Sequence, residues 1–151
     1  MSQESTFNHQ GERYQRSIIL PNNIETIPQL NELIDMACEE VGIDMAMTMS
    51  LNLAIEEAVV NVMDYAYPNG TGDVQVDIDA DSHKIVITLT DSGIPFDPTK
   101  KSEVDTTLSV EERPIGGLGI HLVRQIMDTI SYQRSGNQNI LTMEKIINNN
   151  K

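Results

Sequence analysis

The chain has 151 residues, 39% of them hydrophobic and 22% charged, a balance that supports a packed core and excludes a disordered or fibrous chain. Ten basic against 23 acidic side chains leave a formal net charge of −13. That argues against nucleic acid or an anionic membrane face as a general partner, because both are held by Lys and Arg.

Residues 1–12 are polar and lack any period, and are expected to form a flexible tail ahead of a single domain over 13–151. Arg16–Leu20 reads as a short strand stopped by Pro21-Asn22-Asn23. From Pro28 to about Val41, Leu30, Leu33, Ile34, Ala37 and Cys38 recur at helical spacing, and Gly42 stands where a C-cap would. A longer helix is predicted from about Asp44 to Tyr67, with Leu51, Ile55, Ala58, Val59, Val62 and Ala66 as its apolar stripe. Pro68-Asn69-Gly70 ends it. Val74–Ala80 and Lys84–Thr90 alternate as a hairpin through Asp81-Ser82-His83.

Residues 92–115 show no sustained period, as a binding loop or lid would. Helical spacing returns over Ile115–Met127, and two strands, Thr129–Arg134 and Asn139–Ile146, flank Ser135-Gly136-Asn137. Strands in adjacent pairs favour an α+β fold, a two-layer sandwich of a mostly antiparallel sheet with three main helices on one face. Cys38 is the one cysteine, so no intrachain disulfide framework exists. With no apolar leader or spanning segment in the sequence, the expected compartment is the cytoplasm.

Three groups of residues fit a plain core poorly. On the second helix, Glu57, Asn61 and Asp64 fall within an arc of roughly 60°, away from the apolar stripe. They form either a solvated face or, with Leu53 and Val60 beside them, a partly covered carboxylate and amide suited to a metal and a general base. Asp91-Ser92-Gly93-Ile94-Pro95-Phe96 follows a β-branched strand. It is either a strand-ending turn or a base-reading site, since an ionised carboxylate only accepts hydrogen bonds and so suits the amine of adenine. Gly93 would let the backbone approach a flat ring. Gly116-Gly117-Leu118-Gly119 is either a tight entry into the third helix or a phosphate cradle at its N-terminus, with Arg113 able to add charge. It is not a P-loop, because no Gly-Lys-Ser/Thr follows. His9, His83 and His121 show no metal-ligand spacing, and the methionines read as core filler.

Ile55-Glu56-Glu57-Ala58-Val59-Val60-Asn61, Asp91 to Phe96 and Gly116 to Val123 together resemble three boxes of the ATPase superfamily that includes gyrase, Hsp90, histidine kinases and MutL. Within it the chain is most similar to bacterial anti-sigma-factor serine/threonine kinases, over roughly residues 14 to 146. The resemblance implies ATP and Mg²⁺ as cofactors, with Asn61 on the metal and Glu57 as the catalytic base toward a serine hydroxyl. It implies Asp91 on the adenine amine with Gly93 beneath the ring, Tyr65 stacked on adenine, and Thr142 as a hydroxyl near it. Gly117–Gly119 would hinge the ATP lid. The implied partners are a sigma factor and an anti-sigma-factor antagonist, and the implied assembly is a homodimer.

Departures are visible too: Tyr65 stands where the related serine kinases usually have His, and Asp64 where histidine kinases often have Lys. No phosphoacceptor-histidine helix pair precedes the domain, so a complete histidine kinase is not expected. The same pocket would also serve a nucleotide-gated binding module that sequesters a partner with little phosphotransfer.

Overall fold

Alternation of apolar and polar residues along five segments builds the sheet: β1 (Tyr14–Pro21), β2 (Asp73–Ala80), β3 (Lys84–Asp91), β4 (Thr129–Ser135) and β5 (Gln138–Ile146). The computed structural model describes residues 13–68, 70–100 and 117–147. The strands lie in the order β1-β2-β3-β5-β4, and every neighbouring pair is antiparallel. With helices α1 (Ile27–Val41), α2 (Met45–Tyr65) and α3 (Gly117–Ile126), the architecture is the expected α+β.

Side chains alternate across a strand, so register decides which residues reach the helices. One face carries Val74, Val76, Ile78 and Ala80 of β2, Ile85, Ile87 and Leu89 of β3, and Leu141 and Met143 of β5, all buried. α1 packs on β1 and β2, α2 on β2 and β3, and α3 on α2. The other face shows Asp73, Gln75 and exposed Ile19, with Lys84 and Glu144 3.1 Å apart across β3 and β5. Losing a large side chain such as Ile55 or Leu89 from the helix-facing layer would cost about 2–5 kcal/mol.

Local chemistry sets the helix ends. Gly42 takes the left-handed conformation (φ 83°) at the C-cap of α1, which a residue with a Cβ adopts poorly. The Asp44 carboxylate accepts from the Met47 amide and caps α2. α2 stops at Tyr65, two residues before the expected end. The Ala66 carbonyl accepts from the Ile94 amide at 2.9 Å, and the Tyr67 hydroxyl is engaged by the Asp73 carbonyl and the Ser92 amide. Contacts with the β3 turn thus replace the last helical turn. α3 begins at Gly117, and the predicted start at Ile115, like the tail over 1–12, lies outside the described residues.

Candidate functional site

The α2 row comes first. Glu57, Asn61 and Tyr65 stand at i, i+4 and i+8, one turn apart along the same helical ridge. Asn61 is 1% exposed and its Oδ1 is buried, whereas Glu57 and Tyr65 are half-buried. Burial of an amide that could equally sit in water costs free energy unless its polar atoms find partners. Cover over this face is uneven, because Leu53 is exposed, Val60 half-buried, and Asp64 exposed to solvent. Asp64 therefore points away from the buried end of the row.

The row leads directly to the second group. The Tyr65 ring stacks on Phe96 at 5.1 Å between centroids and 24° between planes. One residue further on, the Ala66 carbonyl holds the Ile94 amide. Partial burial, and secondarily the Asp64 charge, raise the Tyr65 hydroxyl above its ordinary pKa, so the ring stays neutral at physiological pH. Two segments about thirty positions apart in the chain thereby share one end of α2.

Gly93 makes that closeness possible. A Cβ at this position would lie 2.1 Å from the Ala66 carbonyl oxygen and 2.7 Å from the Ala66 Cβ. The close approach that requires glycine is thus to the helix end. An open groove of 410 Å³ runs beside it, lined by Ala66, Tyr67, Pro68, Gly70, Ser92, Gly93 and Ile94. None of Glu57, Asn61 or Asp91 lines this groove, so the chemistry is assigned from those polar side chains and not from the groove.

Asp91 ends β3 on the helix-facing side and is 4% exposed. Its Oδ1 accepts from the Gly93 amide at 2.8 Å and from Asn139 Nδ2 at 2.9 Å. Asn139, 3% exposed, is Asp91's cross-strand neighbour on β5. Its Nδ2 also donates to the Ile94 carbonyl at 2.8 Å, and its Oδ1 accepts from the Phe96 amide at 3.2 Å, from Arg134 at 3.1 Å and from the Tyr132 hydroxyl. Arg134 donates in addition to the Gly93 carbonyl at 2.9 Å. The β4–β5 hairpin therefore holds the Asp91–Phe96 turn from the side opposite α2.

Thr142 does not join this cluster. It pairs with Thr88, one residue out of step with the Asp91–Asn139 and Leu89–Leu141 pairs, so its side chain belongs to the opposite face of the sheet. The polar residue that β5 brings to Asp91 is Asn139, which the sequence reading missed. Its signal was parity: Asn139 shares alternation with Leu141 and Met143, but Ile140 between them blurs the pattern.

The third group is covered in part. Gly117, Leu118 and Gly119 form the first turn of α3, as expected for residues at a helix N-terminus. Arg113 and Gly116 lie outside the described residues. No cluster of three or more His, Cys, Asp or Glu able to hold a metal occurs among the described residues. That set does not count against Mg²⁺, which keeps several waters and binds through one or two protein oxygens plus phosphates. A buried amide oxygen at Asn61 with the Glu57 carboxylate one turn away fits such an ion, and an acceptor carboxylate at Asp91 fits an adenine amine.

Comparison with known proteins identifies the family and the fold. The model of the histidine kinase-like ATPase domain matches residues 20–145. The chain belongs to that family. Curated relatives named serine-protein kinase RsbW, from Bacillus cereus (strain AH820) and Bacillus thuringiensis (strain Al Hakam), are each 27% identical over 100 residues. That span is 64% of this chain and 62% of each relative, so the match spans less than two thirds of their length. A crystal structure of the RsbU and RsbW domains of a Mycobacterium tuberculosis protein superposes with a TM-score of 0.60. Its 13% identity, over 88% of this chain and 32% of that one, speaks to the fold alone. No helix among the described residues is long and apolar enough to cross a membrane.

Proposed function

We propose that this chain binds ATP and transfers its γ-phosphoryl group to a serine of an anti-sigma-factor antagonist, and that it also sequesters a sigma factor. The observation that carries the reading is the Asp91 carboxylate, buried at a turn clamped between α2 and the β4–β5 hairpin. A buried acceptor in that place suits the exocyclic amine of adenine and rejects the carbonyl of guanine, which would leave two acceptors facing each other.

In this reading the α2 ridge supplies the reacting end. Asn61 would hold Mg²⁺, which when bound would supply positive charge to neutralise the phosphates. Glu57, half-buried one turn away, takes the proton from the attacking serine hydroxyl. Tyr65 and Phe96 wall the base end, and the α3 N-terminus with Gly117 and Gly119 meets phosphate through its backbone amides. Such a reaction demands positioning and charge stabilisation more than covalent chemistry, and residues on rigid elements supply the first. Kinase activity is supported further by the similarity to relatives that are named serine-protein kinases. The homodimer is part of the proposal, with β1 available as an edge strand of the sheet.

The test is transfer from labelled ATP to the cognate antagonist by wild type and Glu57→Gln. Transfer by the wild type that disappears in the variant, with nucleotide binding kept, supports the assignment. Equal transfer by both removes Glu57 as the base. Nucleotide binding by the wild type without any transfer would make the chain a nucleotide-gated binding module.

A further inference from the structure

We propose that Asn139 is a positioning residue for the base-binding carboxylate: it fixes which oxygen of Asp91 faces the ligand and thereby sets affinity for an amine-bearing purine. This rests on the ATP-site reading above, which assigned no role to position 139.

The orientation of the Asn139 amide follows from its surroundings. The Phe96 backbone N–H and the Arg134 guanidinium can only donate, and both face Asn139 Oδ1. The amide oxygen must therefore point to them and to the Tyr132 hydroxyl. That leaves Nδ2 toward Asp91 Oδ1 and the Ile94 carbonyl, two acceptors that match its two hydrogens. With the Gly93 amide also on Oδ1, one carboxylate oxygen is occupied twice from within the turn. No hydrogen bond to Asp91 Oδ2 occurs among the described residues, so that oxygen is the one offered to a donor from a ligand.

The arrangement cannot rotate by small steps. Turning the Asp91 carboxylate away would strand an Asn139 hydrogen in a buried site, and turning the amide would set an NH₂ group against two donors. Asn139 thus links the Asp91 carboxylate to the Phe96 amide, and through the Phe96 ring to Tyr65. A ligand amine meets a carboxylate already aimed, which lowers the ordering cost of binding.

The experiment uses Asn139→Asp, Asp91→Asn and the double variant that exchanges the two residues. Urea unfolding and ADP titration calorimetry are run at about pH 5.5 and about pH 8, either side of the range where a facing carboxyl pair titrates. In Asn139→Asp two carboxylates face each other and must share a proton, which raises their folded pKa above the unfolded value. Arg134 and the Tyr132 hydroxyl from β4, Tyr67 beyond the end of α2, the Gly93 and Phe96 amides and the Ile94 carbonyl also face that site, and of these only Arg134 offsets the repulsion by a positive charge. The stability of this variant is therefore kept at the acid end and lost as pH rises. The exchanged pair restores one donor against one acceptor but leaves the Ile94 carbonyl without its hydrogen, so its midpoint recovers in part while its pH dependence returns to that of the wild type.

ADP affinity of Asn139→Asp is expected to fall at least about tenfold at the higher pH, the equivalent of one lost charge-assisted hydrogen bond. In the exchanged variant affinity stays reduced although folding is partly rescued, which a purely structural role would not produce. An Asn139→Asp protein with the wild-type midpoint at both pH values, or an exchanged variant no better than the worse single one, overturns the pairing. A folded Asn139→Asp that binds ADP like the wild type at both pH values overturns the positioning role. ADP bound by none of the proteins, wild type included, sinks the ATP-site reading and the ligand half of this proposal, while the unfolding cycle still decides the pair.

Discussion

Glu57, Asn61 and Tyr65 owe their alignment to a single helix, whereas Asp91 owes its to four segments: its own strand, the Gly93 turn, the end of α2 and the β4–β5 hairpin. The first arrangement is local, and a change at one position leaves the other two in place. The second is non-local and cross-linked, so single substitutions there disturb folding and ligand contact together. The difference separates two kinds of variant: those at the reacting end alter rate, and those at the base end alter affinity and stability at once.

The largest effect expected is kinetic. Glu57→Gln should lower phosphoryl transfer by about 10²–10⁴-fold, the usual contribution of a general base, with ADP affinity and unfolding midpoint unchanged. Single-turnover transfer alongside calorimetry checks both halves. A matching loss of affinity would erase the distinction between the two ends.

Next comes Gly93→Ala. The new Cβ would collide with the Ala66 carbonyl, so the β3 turn and the α2 end must separate. A loss of roughly 1–3 kcal/mol in urea unfolding is expected, with weaker ADP binding in the protein that remains folded. An unchanged midpoint would show that the turn is not clamped to α2.

Thr142→Val should do much less. On the outer face, paired with Thr88, it should leave ADP affinity within about twofold and stability within about 0.5 kcal/mol, as for surface substitutions away from special features. A large loss of affinity would mean that the nucleotide reaches the other side of the sheet.

The smallest effect concerns Cys38, 1% exposed between α1 and α2, whose thiol burial pushes above its ordinary pKa. Alkylation of native protein should be far slower than of urea-unfolded protein at the same pH, because the thiolate is the reactive form. Equal rates would indicate that the α1–α2 layer opens readily.

Legibility in the sequence follows the same division. Glu57 and Asn61 could be read from helical spacing, which also put Asp64 beside them although it is exposed; Tyr65 was named by the resemblance, and the Asp91-Ser92-Gly93 turn by its residue types. The strands and their mostly antiparallel pairing followed from alternation, with boundaries moving by one or two residues, whereas the order β1-β2-β3-β5-β4 came only from the structure. Asn139 could not be read that way, since its partner is 48 positions away and only register brings them together. Thr142 failed for the converse reason: its hydroxyl suits the chemistry, but one step of strand parity sends it to the outer face. Gly93 was legible as a close-approach glycine, yet what it approaches, the Ala66 carbonyl, depends on where α2 ends.

The most direct test of the central claim is titration of wild type and Asp91→Asn with ADP and ATP, with and without Mg²⁺, by calorimetry on protein shown to be folded. The expected result is wild-type binding near about 1 µM, about −8 kcal/mol, falling at least tenfold or vanishing in the variant. Absence of heat from folded wild type at high nucleotide, or an Asp91→Asn variant that binds as tightly, would contradict the assignment of this turn as the adenine site.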